Sequence, residues 1–238
     1  MNAIKFFNLI FSKNLLTLSL LAVVLASCSK SDDYQNLPDA AAVAIIHASA
    51  GTPALDVALD NNRLGVNYFD YTDRIEYFRA YTGNRMLKVY NAGASTANPI
   101  FSKSLNFDVN KYYSVFLVDT ASKMDAVLIR DSTRSAGADS VRIRFANMSP
   151  DAAGLSLYVG DNTTPIASNI PYKTAGNFFS YKAETGVVFK VKNAAGTLLA
   201  TYEPVNLRWG NIYTIWCGGY VGGSDAAGTR IKLDAFAH

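Results

Sequence analysis

Apolar side chains recur at every second position in two stretches of this chain, and the second stretch is the first moved on by one hundred residues. Val43, Ile45, Leu55, Val57 and Leu59 fall on Ile143, Phe145, Leu155, Leu157 and Val159, while Ser49 falls on Ser149. Alternation with a period of two, broken by small turn residues, predicts strand, turn, strand with one buried face. The rhythm returns near the end of each stretch, where Leu105, Asn106, Phe107, Tyr113, Val115 and Phe116 fall on Val205, Asn206, Leu207, Tyr213, Ile215 and Trp216. A self-similar period of this length predicts two like β domains in tandem, each of roughly 90 to 100 residues and large enough to close its own core.

In the first unit the pattern predicts strands near 43–48, 55–59, 75–78, 86–90, 100–107, 112–118 and 126–130. In the second it predicts them near 143–147, 155–160, 178–181, 187–192, 198–205, 212–217 and 231–236. The breaks carry Gly, Asn, Asp or Pro, and no helical period of convincing length intervenes. Short strands with a turn signal about every ten residues favour sandwiches over a barrel. The expected fold class is all-β, with two tandem Ig-like antiparallel β-sandwich domains at 41–131 and 141–238. The joining segment 132–140 is small and polar, which predicts a linker that lets the two domains adjust their relative pose.

The front of the chain reads differently. Residues 1–27 have the form of a signal peptide: Lys5 and Lys13, then the 12-residue apolar run Leu15 to Ala26, too short to span a bilayer as a helix. The run ends in Leu25, Ala26, Ser27 and Cys28, which resembles the lipobox of bacterial lipoproteins. That resemblance implies acylation of Cys28 by a diacylglyceryl group and palmitate, and attachment to a membrane by several acyl chains, above the two-anchor threshold. Residues 28–40 form an acidic tether; Ser29, Lys30, Ser31, Asp32 and Asp33 resemble the export signal of surface lipoproteins in Bacteroidota-type bacteria, with a plain solvated tether as the alternative. Outer membrane attachment, facing the cell surface, is the localisation this implies.

Composition narrows the function classes. Half the residues are hydrophobic and 12% aromatic, which excludes disorder over most of the chain. The formal charge of +3 falls to +1 without Lys5 and Lys13, so no nucleic-acid surface is implied. Once Cys28 is acylated, Cys217 has no partner within the chain; flanked by Trp216 and Gly218, it reads as a buried, inert thiol.

The opening of the second unit, Phe145 to Ala152, resembles the start of an uncharacterised family of bacterial surface β-sandwich domains catalogued as a domain of unknown function. Members of that family open on a strand ending in His or Asn, then Ala-Ser-Pro-Asp-Ala-Pro, then a strand with a Val-Asp-Val core. The first unit carries His47, Ala48, Ser49, Pro53, Leu55, Asp56 and Val57, with Ala50 and Gly51 in place of the Pro-Asp pair. The second keeps Asn147, Ser149, Pro150 and Asp151. The resemblance implies an Ig-like sandwich, tandem units and a secreted or surface location, and it brings no activity.

Candidate chemistry is sparse. His47 is the one histidine inside a domain besides the last residue, His238, and its register counterpart is Asn147, which cannot shuttle a proton. What both can do is hydrogen-bond the backbone of the following turn, so His47, Asn147, Ser149 and Asp151 are read as structural turn residues. Asp60, Asn61 and Asn62 read as hairpin chemistry, and no alternate-acid calcium loop occurs, so no metal and no cofactor are expected. Gly218, Gly219, Gly222 and Gly223 precede no helix and read as a loop. No nucleophile elbow, phosphate loop or zinc cluster is present. Aromatic residues are the one suggestive surface feature: Tyr68, Phe69, Tyr71, Tyr77, Phe78 and Tyr81 in the first unit, Phe178, Phe179 and Tyr181 in the second. Adjacent aromatics on a strand point to opposite faces, so one of Tyr77 and Phe78 and one of Phe178 and Phe179 should lie outside the core. Tyr68, Phe69, Phe178 and Phe179 are taken as the candidates for an exposed ring set that binds sugar or a protein, with inter-domain packing or sheet covering as the competing reading. The expected function is a non-catalytic binding or spacer module for a glycan or another envelope protein. An accessory subunit that presents polysaccharide to an uptake or degradation system is the second reading, and a hydrolase the third.

Overall fold

The computed structural model describes residues 38–94 and 98–238. Signal peptide, Cys28 and nearly all of the tether lie outside the described residues. Asp39 to His238 form one compact unit, built as two Ig-like β-sandwiches in tandem.

The first sandwich has eight strands: β1 (Ala40–His47), β2 (Leu55–Leu59), β3 (Asn62–Phe69), β4 (Arg74–Tyr81), β5 (Gly83–Asn91), β6 (Phe101–Phe107), β7 (Tyr112–Val118) and β8 (Asp125–Arg130). They form two sheets in the orders β4-β1-β7-β8 and β3-β2-β5-β6. Val43, Ile45, Leu55, Val57, Leu87, Val89, Val115 and Leu117 close the core between them. The second sandwich has β9 (Ser140–Met148), β10 (Gly154–Val159), β11 (Ala167–Pro171), β12 (Thr174–Ala175), β13 (Phe179–Lys182), β14 (Val187–Asn193), β15 (Leu198–Val205), β16 (Ile212–Gly218) and β17 (Lys232–Ala237). Its sheets run β12-β9-β16-β17, with β13 also on β9, and β11-β10-β14-β15. Ile143, Phe145, Leu155, Leu157, Phe189, Val191 and Ile215 fill its core.

Three features depart from the sequence reading. Strands β3, β11 and β12 went unread because each is an edge element without a sustained period of two: β3 is interrupted by Gly65, β11 is five residues that hold Ser168, Asn169 and Pro171, and β12 is only two residues long. Each sandwich also contains one parallel pair, β1 with β7 and β9 with β16, in otherwise antiparallel sheets. The third departure concerns the segment 132–140, because the two sandwiches are packed together through their β1–β7 and β9–β16 sheets. Ile46, Ala48, Phe116 and Val118 meet Ala146, Met148, Trp216 and Phe236 in a third apolar cluster, with Phe116 and Trp216 ring centroids 5.8 Å apart. A freely adjusting pose is incompatible with that contact.

Residues at the same level of the two sandwiches meet across this seam. Tyr112 and Ile212 line one cavity, Phe116 meets Trp216, and the Tyr220 hydroxyl donates to Asp119 at 3.1 Å. The strands β1 and β9 therefore start at the same end of the molecule. That end also carries Val109 and Asn110, since Asn110 N–H donates to the Ala40 carbonyl, and Trp209 and Gly210, since Gly210 N–H donates to the Ser140 carbonyl.

Candidate functional site

The turn residues sit where a hydrogen bond to the following backbone is available. Ser149 N–H donates to the Asn147 side-chain oxygen at 3.0 Å, and Ser49 N–H donates to His47 Nδ1 at 3.3 Å. Asn147 Nδ2 goes on to donate to the Ala152 and Ile170 carbonyls. His47 Nε2 points toward the Pro53 carbonyl without completing a hydrogen bond. Burial between Phe69 and Tyr71 lowers the His47 pKa to about 4, so the ring is neutral in the fold. The Ser49 and Ser149 hydroxyls reach forward to the Asp119 and Gly219 carbonyls, tying each turn to the exit of β7 or β16. Asp151 accepts from Val221 and Gly222 N–H at 2.8 and 3.1 Å, which organises the glycine-rich loop. Gly219 lies at φ +82°, and a Cβ there would stand 2.4 Å from the Arg230 carbonyl oxygen, so only glycine fits. Tyr113 and Tyr213 accept from the Asp108 and Arg208 N–H groups, a tyrosine corner in each sandwich. Cys217 is fully buried, and desolvation, then the Asp151 charge, push its thiol up beyond ordinary reactivity.

The four candidate aromatics do not assemble into one surface. Phe69 is 1% exposed and belongs to the first core, and Phe179 packs against the second. Phe178 does leave its own core, but it lies under the Arg144 and Arg142 guanidiniums and against His238, inside the seam between the sandwiches. Inter-domain packing accounts for it. Tyr68 alone is open, at 73% exposure.

Tyr68 owes its position to an irregularity in β3. Leu64 pairs with Val57 and Phe69 with Leu55, so the stretch between them on β3 is longer than its partner on β2 and bulges out of the ladder. Tyr68 takes φ +58°, a left-handed conformation rare for a bulky residue, and this throws its ring outward while Phe69 returns to the core. Beneath the ring is a groove of about 480 Å³ lined by Asp56, Arg63, Leu64, Gly65, Tyr68, Ala92 and Gly93. Asp56 is ion-paired with Arg63 and accepts from Gly93 N–H at 2.8 Å. A second hollow of about 340 Å³ adjoins it across Arg63, lined by Ala58, Asp60, Asn61, Lys88 and Tyr90. Lys88 Nζ donates to the Asn61 side chain at 3.2 Å, and Arg85 pairs with Asp60 at 3.2 Å. In the groove beside Tyr68 the Asp56 and Arg63 charges are matched within the wall; in the adjoining hollow Asp60 is matched by Arg85, and Lys88 is bonded to the neutral Asn61.

Sequence reasoning missed Arg63 because β3 went unread; the signal was Asp56 facing outward and a basic residue just past the Asp60–Asn62 turn. In the second sandwich Ser156 replaces Asp56 and accepts from Asn169 N–H, while Lys192 covers Tyr158 at 4.5 Å, so the acid–arginine groove is not repeated there. Among the described residues no cluster of three or more His, Cys, Asp or Glu is arranged to hold a metal.

A second polar constellation lies in the seam. Asp131 and Arg144 form a buried ion pair. Tyr77 and Ser114 hydroxyls donate to Asp131 at 2.6 and 2.8 Å, Arg144 Nε donates to Thr214 at 2.8 Å and Arg144 Nη1 to the Arg130 carbonyl. His238 bridges Tyr77 and Thr214 through its two ring nitrogens, and burial lowers its pKa to about 4. Arg144 to Asp131 and to the Arg130 carbonyl, and His238 to Tyr77, link the second sandwich to the first, so this set cements the seam.

The fold is that of the Ig-like β-sandwich class. Residues 41–158 match the model of a family described as a domain of unknown function, DUF4397; the match takes in the first sandwich, the joining segment and the first two strands of the second. No curated protein matches. Solved structures similar to the chain include a family 26 carbohydrate-binding module from Eubacterium rectale Amy13K in complex with maltoheptaose, with 10% identity over 83% of this chain and 96% of that one and a TM-score of 0.25. Another is a streptococcal virulence factor described by its alpha-glucan binding, with 13% identity over 74% and 92% and a TM-score of 0.27. A third is a protein of Bacteroides eggerthii described as a candidate cell adhesion protein, with 10% identity over 85% and 97% and a TM-score of 0.22.

Proposed function

We propose that this chain is a non-catalytic, glycan-binding module held on the outer membrane by an acylated Cys28 and facing the cell surface. Domain boundaries at 41–131 and 141–238 belong to the same reading. The observation that carries it is Tyr68, which the fold holds in a costly backbone conformation, roughly 1–3 kcal/mol for such a residue, with its ring exposed above the Asp56–Arg63 groove. A folding chain gains nothing by that strain, whereas a ligand gains a flat apolar platform. The groove walls are internally charge-matched, which suits a neutral, hydroxyl-rich ligand better than an anion or cation. A sugar ring stacked on Tyr68 would place its hydroxyls toward Asp56, Arg63 and Gly93.

The test uses the full acylated chain on a glycan array, beside the Tyr68→Gly variant. Glycine relieves the left-handed strain, so this variant is expected to be about 1 kcal/mol more stable while binding at least about tenfold more weakly, a loss of roughly 1.4 kcal/mol. Retention of the same glycans at the same strength by Tyr68→Gly, or no glycan retained by the wild-type protein, contradicts the reading.

A further inference from the structure

The end of the molecule from which the tether leaves carries exposed apolar tips. Among the described residues Trp209 is 72% exposed, Tyr81 54% and Val109 42%, while Tyr112, 41% exposed, rests edge-on against Tyr77 at 5.6 Å between ring centroids. Ala40, the first residue of β1, pairs with Tyr81 and accepts from Asn110 N–H, and the level of Ala42 is that of Tyr112. Trp209 occupies the same turn of the second sandwich that Val109 occupies in the first, and the seam places the two turns at one end. Asp56, Tyr68 and Gly93 lie toward the other end, since Leu55 pairs with Phe69 and Asn91 directly after the turn that closes β1.

We infer that this end rests on the lipid bilayer, with Trp209, Val109 and Tyr81 seated in the interfacial layer. The inference depends on the lipid attachment stated under Proposed function. Cys28 to Asp39 is 12 residues, a reach of at most about 40 Å, so an acylated Cys28 holds the domain pair close to the membrane at high effective concentration, with this end nearest the point of attachment. Trp and Tyr are the side chains that favour the boundary between headgroups and hydrocarbon. Lys111 and Arg208 stand next to the tips in the chain, and Asp39 and Asp108 offset them, so the inference is carried by the rings. A bilayer at this end leaves the Tyr68 groove facing outward.

The chain has two tryptophans, and they differ usefully: Trp209 is exposed and Trp216 is 1% exposed in the seam. The full-length acylated protein is placed on vesicles of phosphatidylethanolamine and phosphatidylglycerol with brominated acyl chains, and flotation and tryptophan emission are read together. The expected result is flotation with severalfold stronger bromine quenching in the wild-type protein than in Trp209→Phe, together with protection of the Trp209 signal from aqueous iodide. Flotation with Trp209 still open to iodide overturns the inference and leaves the anchor standing. Protection from iodide without bromine quenching assigns these tips to a protein contact and also overturns it. Failure to float overturns both the inference and the anchor.

Discussion

At the scale of single residues, position 47 and position 147 show what the turn requires. An amide there satisfies one N–H and two carbonyls, whereas the imidazole satisfies one N–H and leaves Nε2 without a full partner. The difference has a pH signature. His47 and His238 are both lowered by burial from 6.5 to about 4. Unfolded chains take up protons near pH 6.5 and the folded chain only near pH 4, so stability is full above about 6.5 and falls as the pH drops toward 4. Below that window these two groups add no further loss. The His47→Asn variant is expected to match or exceed the wild-type urea midpoint at pH 7 and to lose roughly half of the decline between pH 6.5 and 4. An unchanged decline would place the proton uptake elsewhere. The capability of these two positions was legible from their register in the chain. The exposure of Tyr68 against the burial of Phe69 was not, because it follows from a bulge that no alternation pattern encodes.

At the scale of elements, the legible part was the set of strands with one buried face and a clear period of two. What stayed hidden was the second buried face of β1, β7, β9 and β16. Those strands read as nearly continuous apolar runs, Tyr112 to Val118 and Ile212 to Gly218, and such runs are the sign of burial on both faces. Arg142 and Arg144 alternate with Val141, Ile143 and Phe145, so two basic side chains fall on a face that turns out to be covered. Arg144 is tolerated there because Asp131, Thr214 and the Arg130 carbonyl take up its donors. Arg144→Ala leaves Asp131 buried without its countercharge and is expected to cost about 3–5 kcal/mol in chemical denaturation. The double variant Arg144→Met with Asp131→Leu is expected to recover most of that. A single variant within about 0.5 kcal/mol of wild type would show that the pair does not hold the seam.

At the scale of the whole molecule, two sandwiches set side by side with their strands in register make an object with two distinct ends. One end carries the chain toward Cys28 together with Trp209, Val109 and Tyr81; toward the other stand the Asp56–Arg63 groove and the loop organised by Asp151. The seam fixes that polarity, since a hinged pair would let the groove face any direction. Division of labour between the sandwiches follows from the loss of the acid at position 156: the first presents the groove, and the second lacks it and carries the largest exposed ring at the tether end. The central claim is that a glycan lies on Tyr68, and hydroxyl-radical footprinting of the full-length protein, with and without a glycan retained on the array, tests it most directly. The account predicts that the glycan protects Tyr68 from oxidation and leaves Trp209 as reactive as before; equal oxidation of Tyr68 in both samples, with the glycan bound, would contradict it.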